Sequence, residues 1–71
     1  MIKFKIGHTY KNLFSEQFSP LTVVKRVPLL HIGEAYIYSS DYVTGLFARY
    51  EDNVEVIKSV WGVIYRADEE V

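Results

Sequence analysis

The sequence predicts a mostly β protein, a compact antiparallel barrel or curved sheet of about five strands, SH3-like or OB-like. Short runs of β-branched and aromatic residues recur along the chain, and turn-forming residues separate them. Seventy-one residues suit one domain over 1–71. Closure into a barrel would also remove exposed strand edges. The alternative is a small α+β arrangement, an open sheet with one packed helix.

The chain opens with a predicted strand, because Ile2, Phe4 and Ile6 alternate with two lysines and Gly7 then ends the pattern. The same alternation leaves no continuous apolar segment of the kind a signal peptide needs. No window holds the roughly eighteen apolar residues of a membrane span. We therefore expect a cytoplasmic protein that does not bind membranes.

Residues 9–19 change period and predict a short helix or an ordered loop. Thr9 is a candidate N-cap, and Pro20 would end a helix. The helical stripe would be formed by Tyr10, Leu13, Phe14 and Phe18. An irregular loop that turns the same aromatic rings inward fits the pattern nearly as well.

Residues 21–27 are β-branched and predict a strand, and residues 29–38 predict the next one after Pro28. Gly33 indicates a bulge or a point of close packing within that second strand. Residues 43–50 also show a helical stripe, with Asp41 as its cap, so that 41–50 could be strand or helix. We favour a strand, because Gly45 would weaken a helix.

The last part of the chain reads as a hairpin and a closing strand. Residues 51–53 predict a tight turn, since Asp and Asn accept left-handed conformations. Residues 54–58 and 60–66 predict the two strands that follow, and an acidic tail from residue 67 is expected to be solvated. The predicted core comprises Phe4, Ile6, Phe14, Val23, Ile32, Phe47, Val56, Trp61 and Val63.

Composition excludes several classes of site. The chain has no cysteine, and its two histidines are too few for a zinc site without carboxylate ligands. The formal net charge is −1, and the residues before the acidic tail carry eight basic and six acidic side chains. That excess of two positive charges is weak support for a nucleic-acid partner, which usually needs a basic stripe.

No catalytic constellation is visible, so we predict a protein that is not an enzyme and uses no cofactor or metal. His31 reads as a structural residue and His8 as a turn residue, each without a nucleophile marked beside it. Glu51, Asp52 and Glu55 surround one turn, but they lack the calcium-loop pattern, and a solvated turn is the better interpretation.

The strongest functional signal is aromatic. Eleven aromatic residues are more than a core of this size requires. We predict a protein-binding module with a partner-binding patch formed by Tyr36, Tyr38, Tyr50, Arg49, Lys25 and Arg26. One alternative is a single-stranded nucleic-acid-binding domain, in which bases would stack on the same aromatics. The other is a homodimer or larger homo-oligomer with a structural or assembly role, since so small a core is only marginally stable.

Three short motifs carry a resemblance. They are Ile6-Gly7-His8-Thr9-Tyr10, Leu21-Thr22-Val23-Val24-Lys25-Arg26 and Tyr65-Arg66-Ala67-Asp68. In these the chain resembles small uncharacterised accessory proteins of phages and mobile elements, and it departs from them at Pro28 and between Phe14 and Phe18. The resemblance transfers no functional residue. It implies a protein that acts stoichiometrically, by binding and inhibiting a host protein or a defence complex.

Overall fold

Six antiparallel strands form one sheet in the computed structural model, which describes residues 1–40 and 44–71. The strands are β1 (Thr9–Tyr10), β2 (Leu21–Pro28), β3 (Glu34–Ser39), β4 (Leu46–Glu51), β5 (Val54–Ser59) and β6 (Gly62–Arg66). They follow one another in sequence order across the sheet. Outside residues 41–43 no helix forms, so a helix within 9–19 and an open sheet with a packed helix are both wrong.

The sheet curls until its two edges nearly meet, which confirms the predicted barrel. Tyr10 of β1 forms an antiparallel bridge with Glu70, beyond the end of β6. The backbone N–H of Val71 also donates to the carbonyl of Thr9 over 2.9 Å. The tail is solvated as expected at Asp68, Glu70 and Val71, but it is held on the barrel, because residues 67–71 complete the closure and Ala67 is buried.

The N-terminal segment is not the regular strand that its alternation predicted. Only Ile2 forms a bridge, in parallel with Val54, while Phe4 is buried and Ile6 is exposed. The hydrogen bonds of Phe4 explain the difference. Its N–H and its carbonyl bind side chains from the barrel, Glu55 and Arg26, and not a neighbouring strand.

The hairpin between β4 and β5 has the predicted geometry. Asp52 and Asn53 have φ angles of 51° and 66°, the left-handed pair that such a turn requires. Strand β4 begins at Leu46, which confirms a strand in the second half of 43–50, whereas residues 41–43 lie outside the described residues. Residues 29–33 form a loop, so β3 starts five residues later than predicted.

The core prediction is correct for three of its nine residues. Phe4, Val23 and Val56 are buried as expected. Five predicted core residues are exposed, namely Ile6, Phe14, Ile32, Phe47 and Trp61, and Val63 is half-buried. Two tyrosines take interior positions, Tyr10 and Tyr65. Both can be buried because their hydroxyl groups have hydrogen-bond partners inside the fold.

A buried ion pair joins β2, β5 and the N-terminal segment. Glu55 is fully buried, and both of its carboxylate oxygens accept hydrogen bonds from Arg26, over 2.6 and 2.8 Å. The N–H of Phe4 donates to the same carboxylate over 2.8 Å. Glu55 therefore does not belong to a solvated turn with Glu51 and Asp52, as its position in the sequence suggested, because the barrel supplies partners for its charge.

Candidate binding surfaces

The outer surface of β2, β3 and β4 carries one group of aromatic side chains, here called the sheet face. The group comprises the rings of Tyr36, Tyr38 and Phe47 together with the charged side chains of Lys25 and Arg49. In β3 and β4 these side chains alternate with buried ones. Cross-strand register brings Tyr36 opposite Phe47 and Lys25 opposite Tyr38. The first pair meets edge-to-face with centroids 6.2 Å apart, and the Lys25 ammonium lies 5.6 Å from the Tyr38 ring centre.

Gly45 makes room for these rings. A Cβ atom at that position would lie 2.8 Å from Cζ of Tyr38 and 2.9 Å from Cβ of Tyr36, closer than van der Waals contact allows. The Tyr38 ring therefore packs against the backbone just before β4. This contact keeps Tyr38 half-buried, while Tyr36 and Phe47 are 39% and 44% exposed.

The structure separates the six predicted partner-binding residues. Lys25, Tyr36 and Tyr38 come together on the sheet face, with Arg49 at its border. Arg49 lies opposite Glu34 and forms an ion pair with Glu51 over 3.3 Å. The remaining two do not join them. Tyr50 is half-buried against Gly33, and Arg26 points inward to its ion pair, which raises the pKa of its guanidinium through the hydrogen bonds to Glu55.

A second aromatic group lies at the opposite end of β5 from Glu55, and we call it the aromatic cluster. It consists of Phe14, Phe18 and Trp61, which are 51%, 54% and 75% exposed. Phe14 is the central ring: it stacks on Phe18 with centroids 5.6 Å apart, and it packs on Trp61 at 5.4 Å. The exposed side chains of Leu13 and Val60 belong to the same two chain segments. Three rings thus pack on one another while each keeps at least half of its surface in solvent.

Local hydrogen bonds hold the segment that presents Phe14 and Phe18. The side-chain oxygen of Asn12 accepts from the N–H groups of Phe14 and Ser15, over 3.0 and 3.2 Å. The N–H of Leu13 donates to the carbonyl of Ile64 in β6 over 2.8 Å, which ties the segment to the barrel. The Asx turn at Asn12 and the backbone hydrogen bond to β6 therefore order this loop although it forms no helix.

The turn between β5 and β6 presents Trp61. The hydroxyl oxygen of Ser59 accepts from the N–H of Trp61 over 3.2 Å, and Gly62 has a φ of 116°, which only glycine adopts readily. Ser59 and Gly62 thus place Val60 and Trp61 at the tip of a tight turn. That pair of turn residues was the signal in the sequence that could have placed Trp61 at the surface.

Two grooves flank the aromatic cluster. The larger has a volume of about 540 Å³ and runs beside Lys11, Leu13, Glu16 and Pro20 to Val71. The smaller has a volume of about 380 Å³ and is lined by Ser19, Ser59, Trp61 and Ile64. Asn12, Phe14 and Phe18 line both. The two phenylalanine rings therefore form a ridge with a groove on each side.

Charged side chains occur on one side of this ridge only. Glu16 and Lys11 line the larger groove, and Glu69 is beside Lys11, whose N–H donates to its carbonyl. Glu70 is next in the chain and forms an ion pair with the Nδ1 of His8. The smaller groove has no charged residue in its lining. Among the side chains that line the larger groove, Glu16 carries the one carboxylate and Lys11 the one ammonium group.

In the described part of the chain, no group of three His, Asp or Glu side chains is placed to hold a metal ion. His31 is exposed in the loop between β2 and β3, beside the exposed side chains of Leu30 and Ile32. No helix among residues 1–40 and 44–71 is long and apolar enough to cross a membrane. The two surfaces are made of aromatic rings, grooves and a few charged side chains.

Comparison with known proteins adds no family to this description. No family model matches the chain, and no match was found among curated proteins or among solved structures. An inference about function therefore has to rest on the two aromatic surfaces and the charges around them.

Proposed function

We propose that this chain is a non-enzymatic protein-binding module and that the aromatic cluster is the centre of its binding surface. The observation that carries the proposal is the exposure of three mutually packed rings, Phe14, Phe18 and Trp61. Large exposed apolar patches on small proteins mark interaction sites, and tryptophan is enriched among the residues that dominate binding energy.

The stability of the barrel does not account for this exposure. On the sheet face, Tyr36 and Phe47 form a cross-strand pair, and such pairs stabilise sheets whether or not they bind a partner. Phe14 and Phe18 lie outside the strands, and Trp61 is at a turn tip. These rings leave apolar surface in water that a partner could cover, at roughly 25 cal/mol for each Å² buried.

The specific version of the proposal is inhibition of a host protein or defence complex. Its support is the resemblance to small uncharacterised accessory proteins of phages and mobile elements, which implies stoichiometric binding. A single domain of this size can block a larger enzyme by covering one surface of it, and an interface needs only about 800 Å² from each partner.

A pull-down comparison tests the function. Tagged wild-type protein, a Phe14→Ala/Phe18→Ala variant and a Tyr36→Ala/Tyr38→Ala variant are incubated with bacterial lysate, with and without nuclease, and bound proteins are identified by mass spectrometry. We expect one nuclease-resistant partner that the cluster variant loses and the sheet-face variant retains. Capture unaffected by the cluster variant would contradict the assignment of the surface, and no specific partner in any lysate would contradict the function.

Single-stranded nucleic acid is the second candidate, and Lys25 above the Tyr38 ring is the observation that favours it. The other cations near the sheet face weaken it, because Arg49 and Lys58 both form ion pairs with Glu51. The same pull-down separates the two candidates. Recovery that disappears with nuclease, and that the Tyr36→Ala/Tyr38→Ala variant abolishes, would favour nucleic acid, and its affinity should then fall steeply with salt.

A further inference from the structure

We propose that a second copy of this chain covers the aromatic cluster, so that two copies form a twofold dimer through Phe14 and Phe18. This inference rests on the proposed use of the cluster as a protein-binding surface, and it names the protein that binds there. Three features of the cluster fit a second copy: the area of its exposed apolar surface, a ridge that lies beside an uncharged groove, and one unpaired charge of each sign in the other groove.

The exposed apolar surface has the size of one half of a dimer interface. Phe14, Phe18 and Trp61 each expose half or more of a side chain whose area is about 200 Å². With the exposed parts of Leu13 and Val71, which line the larger groove, the apolar surface of the cluster is roughly 500 Å². A stable interface takes about 800 Å² from each partner, and in homodimers about 65% of it, or about 520 Å², is apolar. The cluster can therefore supply the apolar centre of such an interface.

The ridge and the smaller groove are complementary to each other in shape. In a twofold dimer the same surface faces itself, so a ridge on one copy has to meet a groove on the other. Phe14 and Phe18 form the ridge, and the smaller groove runs beside it with no charged side chain in its lining. Two copies that face each other in opposite directions can place each ridge in the other's smaller groove without removing a charged group from water.

Two polar side chains that line the smaller groove, Asn12 and Ser59, already have partners in their own chain. The Asn12 amide donates to the Tyr65 hydroxyl over 3.2 Å, and its oxygen accepts from two backbone N–H groups. The Ser59 hydroxyl donates to the carbonyl of Gly62 and accepts from the N–H of Trp61. Because these groups are paired, they lose little when water leaves the groove, and an apolar ridge can occupy it.

The charges of the larger groove are complementary to their own twofold copy. Lys11 and Glu16 line this groove, and neither side chain forms an ion pair with a residue that the structure describes. A twofold axis that brings Lys11 of one copy to Glu16 of the other also brings Glu16 to Lys11. Two ion pairs then form at the border of the interface, where such pairs fix the orientation of the partners. A partner with charge of one sign would be attracted by one of these side chains and repelled by the other.

Sedimentation of the full chain from micromolar to millimolar concentration tests the dimer. Trp61 is the only tryptophan of the chain, so its fluorescence reports whether its own side chain becomes buried. We expect the mass to rise with concentration from that of one chain to that of two, and the tryptophan emission to shift to the blue over the same range. Phe14→Ala should weaken dimerisation at least about tenfold, whereas Tyr36→Ala, on the sheet face, should leave it unchanged. Circular dichroism confirms that each variant is folded.

Charge reversal tests the pairing of Lys11 with Glu16. Lys11→Glu and Glu16→Lys should each weaken dimerisation about tenfold, because each replaces two attractive pairs by two repulsive ones. An equimolar mixture of the two variants should dimerise like the wild type, since both pairs between the unlike copies are attractive. Salt at 1 M, with a screening length of about 3 Å, should remove these differences. A mixture that dimerises as weakly as either variant alone would overturn the proposed interface.

The remaining outcomes separate this inference from the proposed function. A chain that stays monomeric at millimolar concentration, or a dimer that Phe14→Ala leaves intact, would overturn the inference. A monomer that captures a foreign protein through the cluster would overturn it as well and leave the proposed function intact. A dimer that Phe14→Ala dissociates, formed by a chain that captures no foreign protein, would support the inference and contradict inhibition of a host protein.

Discussion

Charged side chains are usually exposed and large apolar ones buried, and the two ends of β5 show the opposite arrangement. Near its start, Glu55 is a charged side chain with no exposed surface. Just after its end, Trp61 is the largest apolar side chain of the protein, and it is 75% exposed. One strand therefore connects a buried charge to an exposed aromatic ring, and the difference between them shows what decides burial in so small a barrel.

Whether a polar side chain is buried in this barrel depends on whether hydrogen-bond partners are available to it there. Glu55 is buried because Arg26 and the N–H of Phe4 satisfy its carboxylate, and no buried side-chain polar atom of the described residues is left without a partner. Trp61 carries no charge that has to be paired, but it stays outside while Tyr10 and Tyr65 occupy the interior. The buried ion pair lies at the first end and exposed apolar surface at the second, and substitutions at the two ends should separate stability from the proposed binding.

The largest expected effect comes from breaking the buried ion pair. Glu55→Leu would leave the Arg26 guanidinium with little solvent and no counter-charge, which typically costs about 3–5 kcal/mol. A core of this size supplies only roughly 3–5 kcal/mol in total, so we expect the variant to be largely unfolded at 25 °C. Urea titration followed by circular dichroism measures the loss.

Two controls sharpen this result. A Glu55→Leu/Arg26→Met variant removes both charges, and it should recover part of the lost stability, because apolar pairs can replace buried ion pairs. Glu51→Gln removes an exposed carboxylate from Lys58 and Arg49, and its urea midpoint should hardly change. A folded Glu55→Leu with wild-type stability would mean that the ion pair is not what holds the N-terminal segment on the barrel.

The same substitution at two phenylalanines tests the comparison directly. Phe4 is fully buried and meets Tyr10 edge-to-face at 4.8 Å, so Phe4→Ala should cost about 3–5 kcal/mol. Phe14→Ala removes a ring that is half in solvent, and we expect a cost below about 1 kcal/mol together with loss of partner binding. Circular dichroism without denaturant should show Phe4→Ala largely unfolded, and a urea titration measures the small loss in Phe14→Ala. Similar losses of stability would show that the aromatic cluster is a structural element.

The sequence predicted the barrel well because its strands and turns are encoded locally. The hairpin at Asp52 and Asn53 depends on two residues that tolerate left-handed angles, and Val23 and Val56 are β-branched residues in short strands. Local patterns also suggested that Phe14 and Trp61 were core residues. Periodicity shows which side chains share a face, but it does not show which face the barrel will enclose.

Sequence patterns also failed to identify the members of the candidate binding surfaces, for a related reason. Tyr10 and Tyr65 take interior positions because other groups satisfy their hydroxyls: the N–H of Lys5, five positions away, for Tyr10, and the carbonyl of Ser19, 46 positions away, for Tyr65. The same holds for Arg26, whose partner Glu55 lies 29 positions away in the chain. Pairings at this distance are properties of the closed fold, so the sequence grouped Arg26 and Tyr50 with the surface tyrosines.

Alkaline pH should destabilise the buried end through Tyr10. Burial raises the pKa of its hydroxyl above the ordinary value of 10.0, so the folded protein keeps a proton that the unfolded chain loses. The contribution to stability is therefore complete below pH 10 and declines as the pH rises through the folded pKa.

Tyr10→Phe isolates this effect. The variant loses the hydrogen bond from Lys5, roughly 1 kcal/mol at neutral pH, but its urea midpoint should fall less between pH 8 and pH 11 than that of the wild type. Tyr36→Phe, on the exposed sheet face, serves as the matched control and should retain the full alkaline loss. An unchanged alkaline loss in Tyr10→Phe would assign that loss to other groups.

The smallest expected effect lies at low pH, in the exposed pair near the end of β6. Hydrogen bonds from Arg66 lower the pKa of the Asp68 carboxyl below its ordinary value of 3.8. The unfolded chain therefore takes up the proton first, and this contribution to stability, complete above pH 3.8, is lost as the pH falls through the folded pKa. Because the pair is solvated, its contribution is small, and 1 M salt, with a screening length of about 3 Å, should reduce it further. Asp68→Asn should remove only this acid-side slope from the urea midpoints, and a larger loss at neutral pH would mean that Asp68 also supports the closure of residues 67–71 on β1.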